Sequence, residues 1–171
     1  MILTSLGDGK AGTFVNSLSR WASGYGYASQ GPSSYRTEYR NRVEEALTQT
    51  PFGGVVNEDD LATLPAAVAA YVRQSGAVGQ PRVGSFRACI RGRIRGGSSK
   101  PWMTFTGEQV NPYGPVPNRL FFMDATMSGL PVDVLHVFVG RSATMRVKAC
   151  SLIEMVDAAG PDMDQAETVT L

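Results

Sequence analysis

Phe86-Arg87-Ala88-Cys89-Ile90-Arg91-Gly92-Arg93-Ile94-Arg95 alternates apolar and cationic side chains. Successive side chains of a strand point to opposite faces. Phe86, Ala88, Ile90 and Ile94 therefore share one face, and Arg87, Arg91, Arg93 and Arg95 the other. One apolar and one cationic face predicts an antiparallel sheet covered on one side only. The pattern decides the fold class but names neither a reaction nor a ligand.

Working outward from this run, the texture of the chain changes near Pro81. From Arg82 onward come short alternating runs broken by Gly, Pro and Ser, and the reading is six strands, at 83–95, 101–110, 119–127, 132–139, 143–150 and 152–157. Gly96-Gly97-Ser98-Ser99 and Gly140-Arg141 read as hairpin turns. The segment Asn111-Pro112-Tyr113-Gly114-Pro115-Val116-Pro117 reads as a longer loop stiffened by three prolines. Strands joined in sequence by such short connections form an antiparallel meander rather than a parallel α/β sheet.

Before Pro81 the apolar residues recur at helical spacing. Residues 35–49 place Tyr35, Tyr39, Val43, Ala46 and Leu47 on one stripe, with Glu38 and Arg42 as an i,i+4 pair on the wet side. A second helical stretch is expected from about 58 to 75, with Leu61, Leu64, Val68, Tyr71 and Val72 as its buried set. Asn57 is the N-cap, Pro65 restarts the helix, and Gly76 ends it. After Gly160-Pro161 the spacing of Met163, Ala166, Glu167 and Thr170 opens another helix. Residues 1–34 are rich in Gly, Ser, Ala and Tyr and read as a flexible arm. Lys10 follows a glycine there, but Ala11 stands where a phosphate-binding loop needs Ser or Thr. The expected architecture is α+β: an arm over 1–34, then one domain over 35–171, with helices on one face of a curved sheet.

A chain of 171 residues with 43% hydrophobic and 18% charged residues can bury a core, and no stretch has the ~18 apolar residues of a membrane helix. The first residues lack the pattern of a signal peptide, so the expected location is the cytoplasm. Cys89 and Cys150 match no metal or redox spacing and are expected as two buried thiols. Charge is uneven: Leu61–Arg119 holds eight basic residues against Glu108 alone, while Leu120–Leu171 holds three against seven acids. Such a division marks either an anionic partner or faces that neutralise each other.

Several constellations carry chemistry in principle. His136, the one histidine, shares a strand face with Val132, Val134 and Phe138. No second histidine completes a metal triad and no Gly-x-Ser-x-Gly elbow supports a nucleophile. Asp157, Asp162, Asp164 and Glu167 surround a strand-to-helix turn, where carboxylates serve either acid–base chemistry or helix capping. The arginine row suits phosphates or anionic head groups. No exposed aromatic interleaves with it in the sequence pattern, which argues against nucleic acid. Met103, Met123, Met127, Met145 and Met155, with Phe105, Phe121, Phe122 and Phe138, suit either an adaptable apolar pocket or an irregular core.

Three segments carry a resemblance. Leu64-Pro65-Ala66-Ala67-Val68-Ala69-Ala70-Tyr71 leads into Gly79-Gln80-Pro81-Arg82; Trp102, Phe105, Thr106 and Gln109 mark a tryptophan strand. Val156-Asp157-Ala158-Ala159-Gly160-Pro161-Asp162-Met163-Asp164-Gln165-Ala166-Glu167 joins a strand to a helix. Over about 64–171 the chain resembles an uncharacterised bacterial family defined only as a domain of unknown function. Members of that family extend several dozen residues past the position of Leu171, so the resemblance implies a partial copy. It supplies no catalytic residue, cofactor or metal to carry over. By fold analogy it looks like the lipid-binding half-barrels of lipoprotein carriers.

The expected function is a non-enzymatic binding module for an apolar or anionic amphiphilic ligand, without a cofactor. Arg87, Arg91, Arg93, Trp102, Phe105, Phe121 and Met123 are its candidate ligand residues. The alternatives are a hydrolase-like enzyme using His136, Asp157, Asp164 or Glu167, and an interaction domain that self-associates through an exposed sheet.

Overall fold

The structure is a computed structural model and describes residues 29–50 and 53–170. The reading of the arm around Lys10 lies outside the described residues. Ser29 and Ser34, the last part of the expected arm, are buried.

Helix α1 spans Tyr35–Gln49, as its periodicity predicts. The Ser34 hydroxyl caps it by accepting from the Thr37 amide at 3.1 Å, satisfying an N–H with no partner inside the helix. Tyr35, Tyr39 and Val43 recur every four residues and are buried, and Ala46 and Leu47 continue the stripe half-buried.

The second helical stretch departs from expectation. It divides into α2, Glu58–Leu61, and α3, Ala66–Gln74, because Pro65 has no N–H to continue a helix and adopts ψ 141°, outside the helical region. Asn57 and Asp60 form the reciprocal capping box at the start of α2. Of the expected buried set only Leu61 is buried. Leu64, Val68 and Tyr71 are exposed, and Ala69 is buried instead. The spacing reports a helix face correctly, but among the described residues no strand packs closely enough against it to bury the whole stripe.

Six strands follow: β1 Ser85–Ile94, β2 Met103–Pro112, β3 Asn118–Met127, β4 Leu130–Val139, β5 Ser142–Ala149 and β6 Ile153–Ala159. They form one antiparallel sheet in sequence order, the expected meander. Helix α4, Pro161–Thr170, closes the described part.

Register assigns every strand side chain to a face. Val110 opposes Leu120, Leu120 opposes Val137 and Phe122 opposes Leu135, and this set packs under Tyr35, Tyr39 and Val43 of α1. The opposite face carries Met123, Ala125, Val132 and Val134, with Phe105, Phe121, Met127, Met145 and Val147 around them. Gly107 serves that second face: a Cβ there would stand 2.8 Å from the Phe121 ring, which lies over the bare backbone. The expectation of helices on one face holds for α1, whereas α4 reaches Arg119 and His136 on the opposite face. Among the described residues no helix is long and apolar enough to cross a membrane.

Candidate functional site

Helix α1 lies across β3 and β4 and reaches β2, so the α1 side of β1 stays open. The resulting cleft, of about 640 Å³, has α1 as one wall and β1–β2 as the other. Val43, Leu47 and Phe122 supply apolar lining, and Arg40, Arg87 and Arg91 supply charge. Alternation explains the second wall: Arg87, Cys89 and Arg91 are two apart on β1 and stand opposite Val110, Glu108 and Thr106 of β2.

The floor is fixed by polar contacts. The Tyr39 hydroxyl donates to Glu108 at 3.2 Å, and Arg87 approaches the same carboxylate at 3.5 Å. Burial, with Glu108 beside it, pushes the Tyr39 hydroxyl well above its ordinary value, so it stays a donor. Arg36 pairs with Asp124 while its guanidinium lies 4.7 Å over the Phe122 ring. Arg91 and Arg93 have no carboxylate partner among the described residues.

The sequence-chosen ligand residues are therefore divided. Arg87 and Arg91 line the cleft; Phe105, Phe121 and Met123 lie on the opposite face of the sheet. Strand alternation that separates Arg from Phe along β1 also separates them in space. Arg93 joins Trp102 at the β1–β2 hairpin, with Arg93 and Arg95 at 5.7 and 4.6 Å from the indole centroid. This overturns the expectation that no aromatic accompanies the arginine row. Trp102 lies beyond the turn, nine residues from Arg93 in sequence, and hairpin pairing brings it back.

The catalytic candidates are held in structural contacts. The Glu167 carboxylate accepts from Arg119 at 2.9 Å and lies 3.5 Å from His136 Nε2, tying α4 to β3 and β4. Burial lowers the His136 pKa, Glu167 opposes that shift and Arg119 adds to it. Asp164 accepts from the Ala143 amide at 2.6 Å, a second tie from α4 to the sheet. Asp157 stands opposite Arg146 on the α1 side. Among the described residues no group of three or more His, Cys, Asp or Glu side chains is arranged to hold a metal ion. Cys89 and Cys150 are free and neither is buried as expected: Cys150 is half-buried, and Cys89 is exposed because among the described residues no element covers edge strand β1.

One polar cluster has no signal in the motif reading. Asp133, 4% exposed, stands opposite Asp124 and accepts from the Ser151 hydroxyl. Burial raises its pKa, the Ser151 bond opposes this, and the Asp124 charge reinforces it. The hint was Ser128-Gly129: a two-residue turn there makes Asp124 and Asp133 cross-strand partners.

Comparison with protein-family models matches residues 54–171 to a family described as "Family of unknown function (DUF6544)". The chain belongs to this family. Its matched span holds the entire sheet, while the α1 wall of the cleft lies before it. Comparisons with curated proteins and with solved structures find no match.

Proposed function

We propose that this chain is a binding module that holds an amphipathic small molecule with an anionic head in the cleft between α1 and β1–β2. The observation that carries the reading is the cleft itself: about 640 Å³, within the range of small-molecule sites, with Arg87 and Arg91 on the β1 wall and Leu47, Arg40 and Glu44 on the α1 wall. Arg91, free of a carboxylate partner among the described residues, meets the head group. Arg87 and Arg40 flank it, and Leu47, half-buried at the edge of the core that Val43 and Phe122 belong to, receives the apolar portion. Binding is favoured over catalysis because Asp164 and Glu167, the strongest acid–base candidates, already hold α4 to the sheet.

Native mass spectrometry of the purified protein after incubation with a lipid extract tests the reading. The expected result is an anionic adduct, lost in Arg91→Glu and weakened in Leu47→Gln. In a Cys150→Ser background, bound ligand slows alkylation of Cys89, which lines the same cleft. No adduct, or one unaffected by Arg91→Glu with unchanged Cys89 alkylation, would overturn the proposal. The interaction-domain alternative draws on Phe86, Ile90 and Ile94, exposed on the other face. Self-association abolished by Ile90→Glu, with no small-molecule adduct, would favour it.

A further inference from the structure

We infer that the β1–β2 hairpin end of the sheet docks on an anionic lipid bilayer. The inference stands on residues other than those of the cleft and does not depend on it.

The meander places alternate turns at the same end of the sheet. Ile94 pairs with Met103, Met127 with Leu130 and Ala149 with Ile153, so the β1–β2, β3–β4 and β5–β6 turns form one rim. Each turn displays a large apolar side chain to solvent: Ile94 and Trp102 on the first, Leu130 on the second, Leu152 and Ile153 on the third. Trp102 is 54% exposed. Folding leaves these side chains wet, whereas the interfacial zone of a bilayer takes them from water.

Charge selects the kind of bilayer. Near the turn, from Gly92 to Phe105, the hairpin carries Arg93, Arg95 and Lys100 and no acid. Exposed apolar residues also stand at the other end, at Tyr113, Val116 and Val139, but there α4 begins with Asp162 and Asp164. Arg141 stands among those acids, so that end has mixed charge, and an anionic surface favours the first end. The positions of Arg93 and Arg95 over the indole suit the interface, where guanidinium groups meet lipid phosphates while the ring lies at head-group depth. Single-stranded nucleic acid is the competing occupant, since bases stack on such a ring, and the test separates the two.

Vesicle sedimentation of the purified chain tests this, using phosphatidylcholine alone and phosphatidylcholine with roughly one part in three phosphatidylglycerol. The expected result is binding to the anionic vesicles only, weakened by added salt. Arg93→Glu with Arg95→Glu lowers the partition by about tenfold or more. Arg141→Glu, an exposed charge at the opposite end, leaves it within about twofold. In a Trp21→Phe background, Trp102 is the one remaining tryptophan of two, and its emission shifts to the blue on anionic vesicles. Equal binding to both vesicles, no binding to either, or no effect of the Arg93/Arg95 reversal would overturn the inference. So would a Trp102 response to oligothymidylate in place of vesicles. Because the variants lie outside the cleft, the Arg91-dependent adduct of the binding proposal survives or fails separately.

Discussion

At the scale of single residues, the least expected feature is the β5–β6 turn. Cys150 and Ser151 both have positive φ, at 52° and 58°, without a glycine, and the Leu152 amide closes the turn on Ala149 at 3.1 Å. Non-glycine residues pay for that conformation in steric strain, and the surroundings hold it here. Ser151 is fixed because its hydroxyl satisfies buried Asp133, while the Cys150 side chain makes no comparable contact. The two positions therefore respond differently. Cys150→Asn, which tolerates the left-handed region and keeps the turn type, raises stability by about 1 kcal/mol. In a thermal melt that is a rise of roughly 2–4 °C for a chain of this size. Ser151→Asn lowers stability instead, because the longer amide does not fit the buried place from which the hydroxyl donates to Asp133. Equal effects at the two sites would show that strain, not the Asp133 contact, governs the turn.

At the scale of elements, legibility follows the distance over which a pattern acts. The strands were readable because alternation is local and the turns between them are short; β1 differs from its expected 83–95 range only at the ends. Helix α1 was readable because its stripe meets a full sheet face. The 58–75 stretch misled because burial needs a partner, which a helical stripe does not guarantee. The cleft was half legible: Arg87 and Arg91 are visible in the alternation, but their partners on α1 depend on where the helix crosses the sheet. Composition alone groups Phe105, Phe121 and Met123 with them, whereas strand parity sends these three to the other face. Helix α4 supplies the prediction at this scale. Burial depresses the folded-state pKa of His136 below 6.5, so over the interval beneath that value the unfolded chain binds a proton that the folded chain does not. Stability that is present above pH 6.5 is thus lost as pH falls through the depressed folded value. His136→Gln removes that component. Urea titrations between neutral pH and the onset of carboxylate titration should find the wild type losing stability on acidification and the variant nearly flat. Identical slopes would mean that α4 docking is indifferent to the charge of His136.

At the scale of the whole molecule, one sheet serves two unlike faces, and hydrophobic stabilisation is divided unevenly between them. Under α1, Leu135 is 0% exposed among Tyr39, Leu120 and Phe122; on the opposite face the β1 margin is open, with Ile90 at 37%. Removing the same kind of side chain at these two places should therefore cost very different amounts. Leu135→Ala loses its transfer energy and leaves a cavity between helix and sheet that the rigid strands cannot close, at about 2–5 kcal/mol. Ile90→Ala exposes little new surface and opens no cavity, so it costs about 1 kcal/mol or less, part of it the lower strand preference of alanine. Chemical denaturation separates the two through midpoints at equal slope, since neither change alters how much surface unfolding exposes. A cost at Ile90 comparable to that at Leu135 would mean that the β1 margin is covered in solution. It would then count as core, and the interaction-domain reading of this face would gain the support that the cleft reading loses.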